Sequence, residues 1–298
     1  MNIFRKVKAL PATLKCIVHH PLNRGRKLSA LRRFLWWQIQ SRMKLGPIPV
    51  PFVNQTKLWV ENGMTGATGN VYCGLHEFEF MGFALHLLRP KDLFVDVGAN
   101  VGSYSILAAS LGARCIAFEP ILKSYQALSR NISNNQLEAL ITPYFMALGE
   151  YEQTVKMVSH LDTLNHIIEQ DTVIDQKNVV MVQTDMLDHM IEHDTLITLL
   201  KIDTEGYEDK IIRGSKYFLA QDAIWAIIVE TGNLEVHEIM KQHGFSTHTY
   251  DPLTRTLIPT HEARKPWGNY LYIHKEKRTV IADRLKLAQP FKIMGRSI

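Results

Sequence analysis

The stretch Asp92-Leu93-Phe94-Val95-Asp96-Val97-Gly98-Ala99-Asn100-Val101-Gly102-Ser103-Tyr104 holds an apolar run ending in an acid, a turn with two glycines, and the start of a helical pattern. That order predicts a strand, a tight turn and a helix, the part of an open α/β sheet on which a nucleotide-like ligand sits. A second apolar run, Cys115-Ile116-Ala117-Phe118-Glu119-Pro120, also ends in a carboxylate. Gly98 and Glu119 are 21 residues apart, about what a βαβ unit needs to set an acid beside a ribose.

The glycine spacing separates two ligand classes. A dinucleotide turn reads G-x-G-x-x-G because its backbone must approach a pyrophosphate. Here Gly98 and Gly102 are four apart, Asn100 lies between them and Ser103 follows, so that pattern is not met. Asp96, two residues before Gly98, would repel a pyrophosphate but suits a cationic, hydroxyl-rich ligand. S-adenosylmethionine has a sulfonium, an ammonium and a ribose diol, and no phosphate. A purely structural reading leaves the two glycines to shape the turn and nothing more.

Working outward, strands are predicted at 94–97, 114–119, 141–147, 196–203, 223–230, 245–250 and 269–274, with an additional one at 152–159. Helices are expected at 76–88, 103–111, 121–134, 208–219 and 235–243. The alternation predicts an α/β, Rossmann-like fold: a mostly parallel seven-stranded sheet with helices on both faces. Thr56–Val60 reads as a further strand and Gly63–Gly69 as a loop. Leu161–Asn178 has no clear period and reads as an insertion, a candidate acceptor lid.

Ligands of such sheets bind beyond the carboxyl ends of the strands. Asp96, Glu119, Asp203 and Glu230 fall at those ends, and four such acids are hard to explain as packing because buried unpaired carboxylates are costly. Glu119 suits the two hydroxyls of a ribose, since a carboxylate accepts two hydrogen bonds. Asp96 suits the ammonium of the methionine part. Gly98 admits close backbone approach, and Asn100 and Gly102 complete the turn. In Lys201-Ile202-Asp203-Thr204-Glu205-Gly206, alternation puts Lys201, Asp203 and Glu205 on one side. Methyl transfer to a hydroxyl needs in-line approach and a proton acceptor. Asp203 is the first choice for the polar active-site residue, with Lys201 or Glu205 assisting. Glu77 opens the helix leading into the first core strand, either as a dipole-favoured carboxylate or as a cofactor contact. His76 beside it is a candidate base.

The chain resembles the FkbM family of S-adenosylmethionine-dependent methyltransferases. The resemblance rests on Phe94–Tyr104, Ala117–Pro120, Asn131, Asn135, Ala147–Gly149, Leu187-Asp188, Leu200–Glu208 and Arg213-Gly214-Ser215, and spans roughly residues 72–275. Thr204 and Tyr207 stand where Val and Ala are common in the family. The resemblance implies a class I methyltransferase fold, S-adenosylmethionine as cofactor, and O-methylation of hydroxyls on sugars, glycans or polyketide-type metabolites. It also matches the position of Glu77, 19 residues before Asp96, to a family glutamate. Base-amine methylases carry prolines where this chain has Ile202-Asp203-Thr204-Glu205, which argues against that acceptor. Two rivals stand beside this reading: a nicotinamide-dependent oxidoreductase, and a binding module that keeps the fold without chemistry.

The chain has 298 residues and a net charge of +5, unevenly spread. Residues 1–60 hold 12 Lys and Arg and no acid; the rest holds 22 basic and 29 acidic residues. Lys27–Leu45 reads as a helix with Leu28, Leu31, Leu35 and Ile39 on one face and Arg32, Arg33 and Arg42 among the others. It is read either as a basic helix on an anionic membrane surface or as a helix packed on the domain with solvated arginines. No nucleic-acid motif accompanies the charge, so no nucleic-acid partner is expected. Cys16, Cys73 and Cys115 are scattered and suit reduced thiols in a cytoplasmic protein, peripheral at most to the inner membrane surface. No apolar window approaches ~18 residues, no signal peptide is read, and no zinc spacing appears, so no metal is expected. The expected organisation is a basic helical extension (1–50), a methyltransferase domain (51–275) and a tail (276–298).

Overall fold

The computed structural model describes residues 3–44, 46–158, 179–204, 206–231, 233–260 and 268–298. The insertion 161–178 and Glu205 lie outside them. In chain order the elements are α1 (Ile3–His19), α2 (Lys27–Met43), β1 (Ile48–Pro51), β2 (Lys57–Val60), α3 (Thr65–Cys73), α4 (Phe78–Leu87), β3 (Leu93–Val97), α5 (Ser103–Ala109), β4 (Arg114–Phe118), α6 (Leu122–Asn134), β5 (Ile141–Tyr144), β6 (Ala147–Leu148) and β7 (Gln153–Val158). After the insertion come β8 (Val179–Asp185), α7 (Leu187–Met190), β9 (Ile197–Ile202), α8 (Glu208–Arg213), α9 (Lys216–Ala220), β10 (Ile224–Thr231), α10 (Leu234–Gln242), β11 (Phe245–Asp251), β12 (Thr256–Pro259), β13 (Gly268–His274), α11 (Arg278–Lys286), β14 (Lys292–Ile293) and β15 (Arg296–Ser297).

The main sheet has the order β12-β11-β13-β10-β9-β3-β4-β5. From β5 to β10 every pairing is parallel; β13 enters antiparallel between β10 and β11. The seven expected strands are present, and β12 adds an eighth at the edge, antiparallel to β11. Succession runs outward from β3 in both directions, so β3 and β9 flank the point where strand order reverses and a crevice opens. The central strands are apolar on both faces because helices cover both. Phe94, Leu199, Ala226 and Ile228 pack into one core layer; Val95, Val97, Leu200, Ile202, Ile227 and Val229 pack into the other.

Several elements differ from their sequence pattern. Gly63–Gly69, expected as a loop, enters α3. That helix tolerates Gly69 because a Cβ there would stand 2.3 Å from the His76 ring, which packs over it. The helix expected at 208–219 is two: a Cβ on Gly214 would meet the Gly149 carbonyl oxygen at 1.9 Å, so the chain turns there and restarts at Lys216. Thr56–Val60 pairs with β1 in a hairpin apart from the main sheet, and β7 joins β8 and β6 in a small sheet of its own. The tail forms α11, against α4, and the β14–β15 hairpin. Arg296 of that hairpin donates to the carbonyls of Pro21 and Arg24 at 2.8 and 2.7 Å.

Candidate active site

Parallel strands β4, β3, β9 and β10 deliver Glu119, Asp96, Asp203 and Glu230 to one end of the sheet. Register aligns Asp96 with Lys201 on the neighbouring strand, and Lys201 with Ile228 on the next. A cavity of about 320 Å³ opens there. Its lining includes Glu77, Asp96, Gly98, Asn100, Lys201 and Asp203 from the expected set. His76, Tyr104 and Glu230 line it as well. Gly102 and Glu119 stand beside it rather than in its lining.

Asp96 is 1% exposed. Its Oδ2 accepts from the Ser105 hydroxyl at 2.6 Å, while Oδ1 is buried with no hydrogen-bond partner among the described residues. Burial pushes its carboxyl above the usual range, against the pull of the Lys201 charge and the Ser105 hydroxyl. Lys201 reaches Asp203 Oδ2 at 2.7 Å and lies 4.9 Å from the centre of the Tyr104 ring. Burial works against the Lys201 ammonium, but the carboxylates of Asp203, Asp96 and Glu77 together raise it above the ordinary lysine value. For Asp203 burial pushes upward and Lys201 prevails, holding the carboxyl below its ordinary value; the Glu230 carboxyl hydrogen-bonds to it as well. The Lys201–Asp203 pair is therefore ionised at neutral pH, with the Asp203 side chain 28% exposed.

Glu77 ties three elements together. Its Oε2 accepts from the Tyr104 hydroxyl at 2.6 Å and its Oε1 from Asn269 Nδ2 at 2.8 Å. Burial, then the Glu77 carboxylate, keeps the Tyr104 phenol protonated far above its usual value, so it stays a donor. Tyr104 sits inside the motif that decides the fold. Asn269, 192 residues from Glu77, carries no sequence signal, because only the insertion of β13 beside β10 brings it here.

The turn after β3 is held from β4. The backbone N–H groups of Gly98 and Ala99 both donate to the Phe118 carbonyl at 3.0 Å. Asn100, at φ +51°, donates its N–H to Glu119 Oε2 at 2.8 Å, and Ile121 N–H donates to Oε1 at 2.8 Å. Glu119 thus fixes the turn, and each of its oxygens keeps a second lone pair. Burial pushes this carboxyl up to about 7 even though both backbone donors pull it down. Gly98, at φ +78°, answers to a protein neighbour: a Cβ there would stand 2.0 Å from the Asp203 carbonyl oxygen. Gly102, at φ +87°, gives way to Leu128, whose Cδ1 would lie 2.5 Å from a Cβ.

Beyond the cavity, Glu208 is 3% exposed and was not among the expected site residues. Its Oε1 accepts from Thr204 N–H at 3.2 Å, the Thr204 hydroxyl at 3.0 Å and Gly206 N–H at 2.9 Å, gathering the loop that follows Asp203. Three other residues of the family pattern are structural. Asn131 bridges Trp59 N–H and the Val101 carbonyl, Asn135 brackets Lys57, and Asp188 accepts from Tyr217 and Phe218 at the start of α9.

Residues 96–247, just over half of the chain, match the family described as the Methyltransferase FkbM domain. The chain belongs to the FkbM methyltransferase family. Membership implies a methyl donor. Similar solved structures include a methyltransferase FkbM from Methylobacillus flagellatus KT, at 15% identity and TM-score 0.43, covering 83% of this chain and 60% of that one. A precorrin-6y C5,15-methyltransferase from Geobacter metallireducens GS-15 matches at 13% identity and TM-score 0.36, over 65% of this chain and 87% of that one. A putative tRNA (m1A22) methyltransferase from Streptococcus pneumoniae matches at 13% and 0.38, over 65% and 69%. This FkbM chain spans 60% of the length of the Methylobacillus structure. No protein with a curated description matches it.

Proposed function

We propose that the chain transfers a methyl group from S-adenosylmethionine to a hydroxyl of a sugar, glycan or polyketide-type metabolite. The carrying observation is Asp96 Oδ1, a buried carboxylate oxygen without a donor among the described residues, on the wall of a cavity at the strand switch point. An unsatisfied buried acceptor costs about 1–3 kcal/mol, and a ligand ammonium relieves it. The donor set fits this cofactor: Asp96 for the ammonium, Glu119 with two spare lone pairs for the ribose diol, and the Gly98–Asn100 turn alongside. When bound, the cofactor supplies an electrophilic methyl group.

The chain's own residues handle the acceptor and its proton. Lys201 keeps Asp203 ionised, so the Asp203 carboxylate accepts the hydrogen bond of an acceptor hydroxyl and orients its oxygen. A hydroxyl oxygen gaining a methyl group becomes strongly acidic, so a weak base such as Asp203 suffices to take its proton. Glu230 and Lys201 fix the angle of that carboxylate from either side. Glu205, read beside these two in the sequence, lies outside the described residues and takes no part in this account.

The test is transfer of a labelled methyl group from S-adenosylmethionine to extracted glycans and lipids, with the wild type, Asp203→Asn and Glu119→Ala in parallel. Label on a hydroxyl oxygen, lost in both variants, is the expected result. Tight binding of a nicotinamide cofactor without S-adenosylmethionine binding, or label on nitrogen, overturns the reading.

A further inference from the structure

The packing of α2 sets its inner face: Ala30, Phe34 and Trp37 are buried there, and the helix lies against α1 and α3. A second apolar face points away from the protein. Leu28 is 79% exposed, Leu35 58%, Ile39 55% and Met43 74%, with Trp36 beside them at 43%. Spacings of seven and four place Leu28, Leu35 and Ile39 within roughly 40° of arc. Arg32 and Arg42 are interleaved with that row, both exposed. Lys27 and Lys44 stand exposed at the two ends. Among the described residues, no Lys or Arg before Lys57 forms an ion pair with a carboxylate. An apolar cavity of about 380 Å³ shares Trp36 with this face and is lined further by Arg33, Val50, Phe52 and Lys292.

We infer that the outer face of α2 seats the protein on an anionic lipid bilayer. A leucine and isoleucine row interleaved with arginines fits the boundary between acyl chains and headgroups: the apolar side chains enter, and the arginines, of which Arg42 also donates to Gln38, meet lipid phosphates. Charge decides against a second copy of the chain. A two-fold contact brings a patch against itself, and here it would set Arg32 and Arg42 against their own likeness with no acid to neutralise them. The docking is peripheral, since among the described residues no helix is long and apolar enough to cross a membrane.

Co-sedimentation of the full chain with phosphatidylcholine vesicles, with and without phosphatidylglycerol, tests this. Binding only to the anionic vesicles, weakened by salt, is expected. Arg32→Gln with Arg42→Gln should lower partition by roughly tenfold or more. Leu35→Asp with Ile39→Asp should abolish it. Both pairs are solvent-exposed, so the melting temperature stays near wild type and a folding failure is told apart from lost docking. Equal binding to neutral vesicles, no binding to either, or unchanged binding in both variants overturns the inference. So does a dimer in analytical ultracentrifugation that Leu35→Asp with Ile39→Asp dissolves, or preferential binding to duplex DNA.

Discussion

Gly98 and Asp203 touch through their backbones across the join of β3 and β9, with 2.0 Å between the Asp203 carbonyl oxygen and the place a Gly98 Cβ would occupy. The Asp203 N–H also donates to the Val97 carbonyl at 3.0 Å. The turn after β3 and the acid proposed as base are therefore fastened to each other through backbone. Gly98→Ala meets backbone rather than a movable side chain, at a φ that disfavours a Cβ. It should destabilise by roughly 2–4 kcal/mol and weaken S-adenosylmethionine binding and turnover together. Thermal melts and calorimetric titration check this; a variant with native stability and affinity would dissociate the two loops.

Lys201 holds two acids at once, touching Asp203 and lying in the field of Asp96. Lys201→Met leaves both without their cation and should cost about 3 kcal/mol, less what solvent recovers at the partly exposed Asp203. Adding Asp203→Asn should return part of that loss, so the double-mutant cycle is non-additive. Asp203→Asn alone should keep cofactor affinity within a few-fold and slow transfer by roughly a hundred- to ten-thousandfold. A full methylation rate in this variant removes Asp203 from the chemistry.

Glu208 binds its loop through three donors on one oxygen. Burial pushes its carboxyl up and those donors only partly restrain it. Glu208→Gln exchanges a charged acceptor for a neutral one and should cost about 1–2 kcal/mol. Hydrogen exchange at the Thr204 and Gly206 amides should quicken more than at the core of β9. Equal change at both would mark a global effect.

The sheet was legible because its strands are buried on both faces and read as nearly continuous apolar runs, as in Ile197–Ile202, which only Thr198 and Lys201 interrupt. The turn glycines and strand-end acids were legible for the same reason: polar or Cβ-less residues at the ends of such runs stand out. Gly98 was read for ligand approach; that its Cβ position also meets the Asp203 carbonyl, a contact between residues 105 apart, is something no local pattern carries. α3 was hidden by its glycines, of which Gly69 makes room for the His76 ring. The two-sidedness of α2 misled in another way: the regular Leu28, Leu35, Ile39 row is its outer face, while the irregular Ala30, Phe34, Trp37 set is the one buried. Asn269 acts through a contact with Glu77, 192 residues away, that nothing in its neighbours' sequence announces. Glu208 bonds within four residues and closes the Leu200–Glu208 stretch, so its loop-gathering role is local but shows only once that loop is folded.

The Glu119 carboxyl, pushed from an ordinary 4.5 to about 7 by burial, sets a pH dependence whose sign can be worked out. Because the folded value lies above the unfolded one, its contribution to stability is full below about 4.5 and is lost as pH rises to about 7, a fall of roughly 3 kcal/mol in the free protein. Ligand binding runs the other way. A diol donating to both oxygens requires the ionised carboxylate, so affinity is full above about pH 7 and falls by up to tenfold for each pH unit below it. Binding in slightly acid solution then releases a proton. Calorimetric titration with S-adenosylmethionine at about pH 6 and about pH 8, in buffers of different ionisation heat, reads both the affinity change and the proton. Glu119→Gln should flatten the pH profile and weaken binding above pH 7; its amide nitrogen cannot accept, so one of the Asn100 and Ile121 N–H groups loses its partner and the melting temperature does not gain what removing the buried charge would give. An unchanged slope in Glu119→Gln would assign the titration to another group and take the ribose from Glu119.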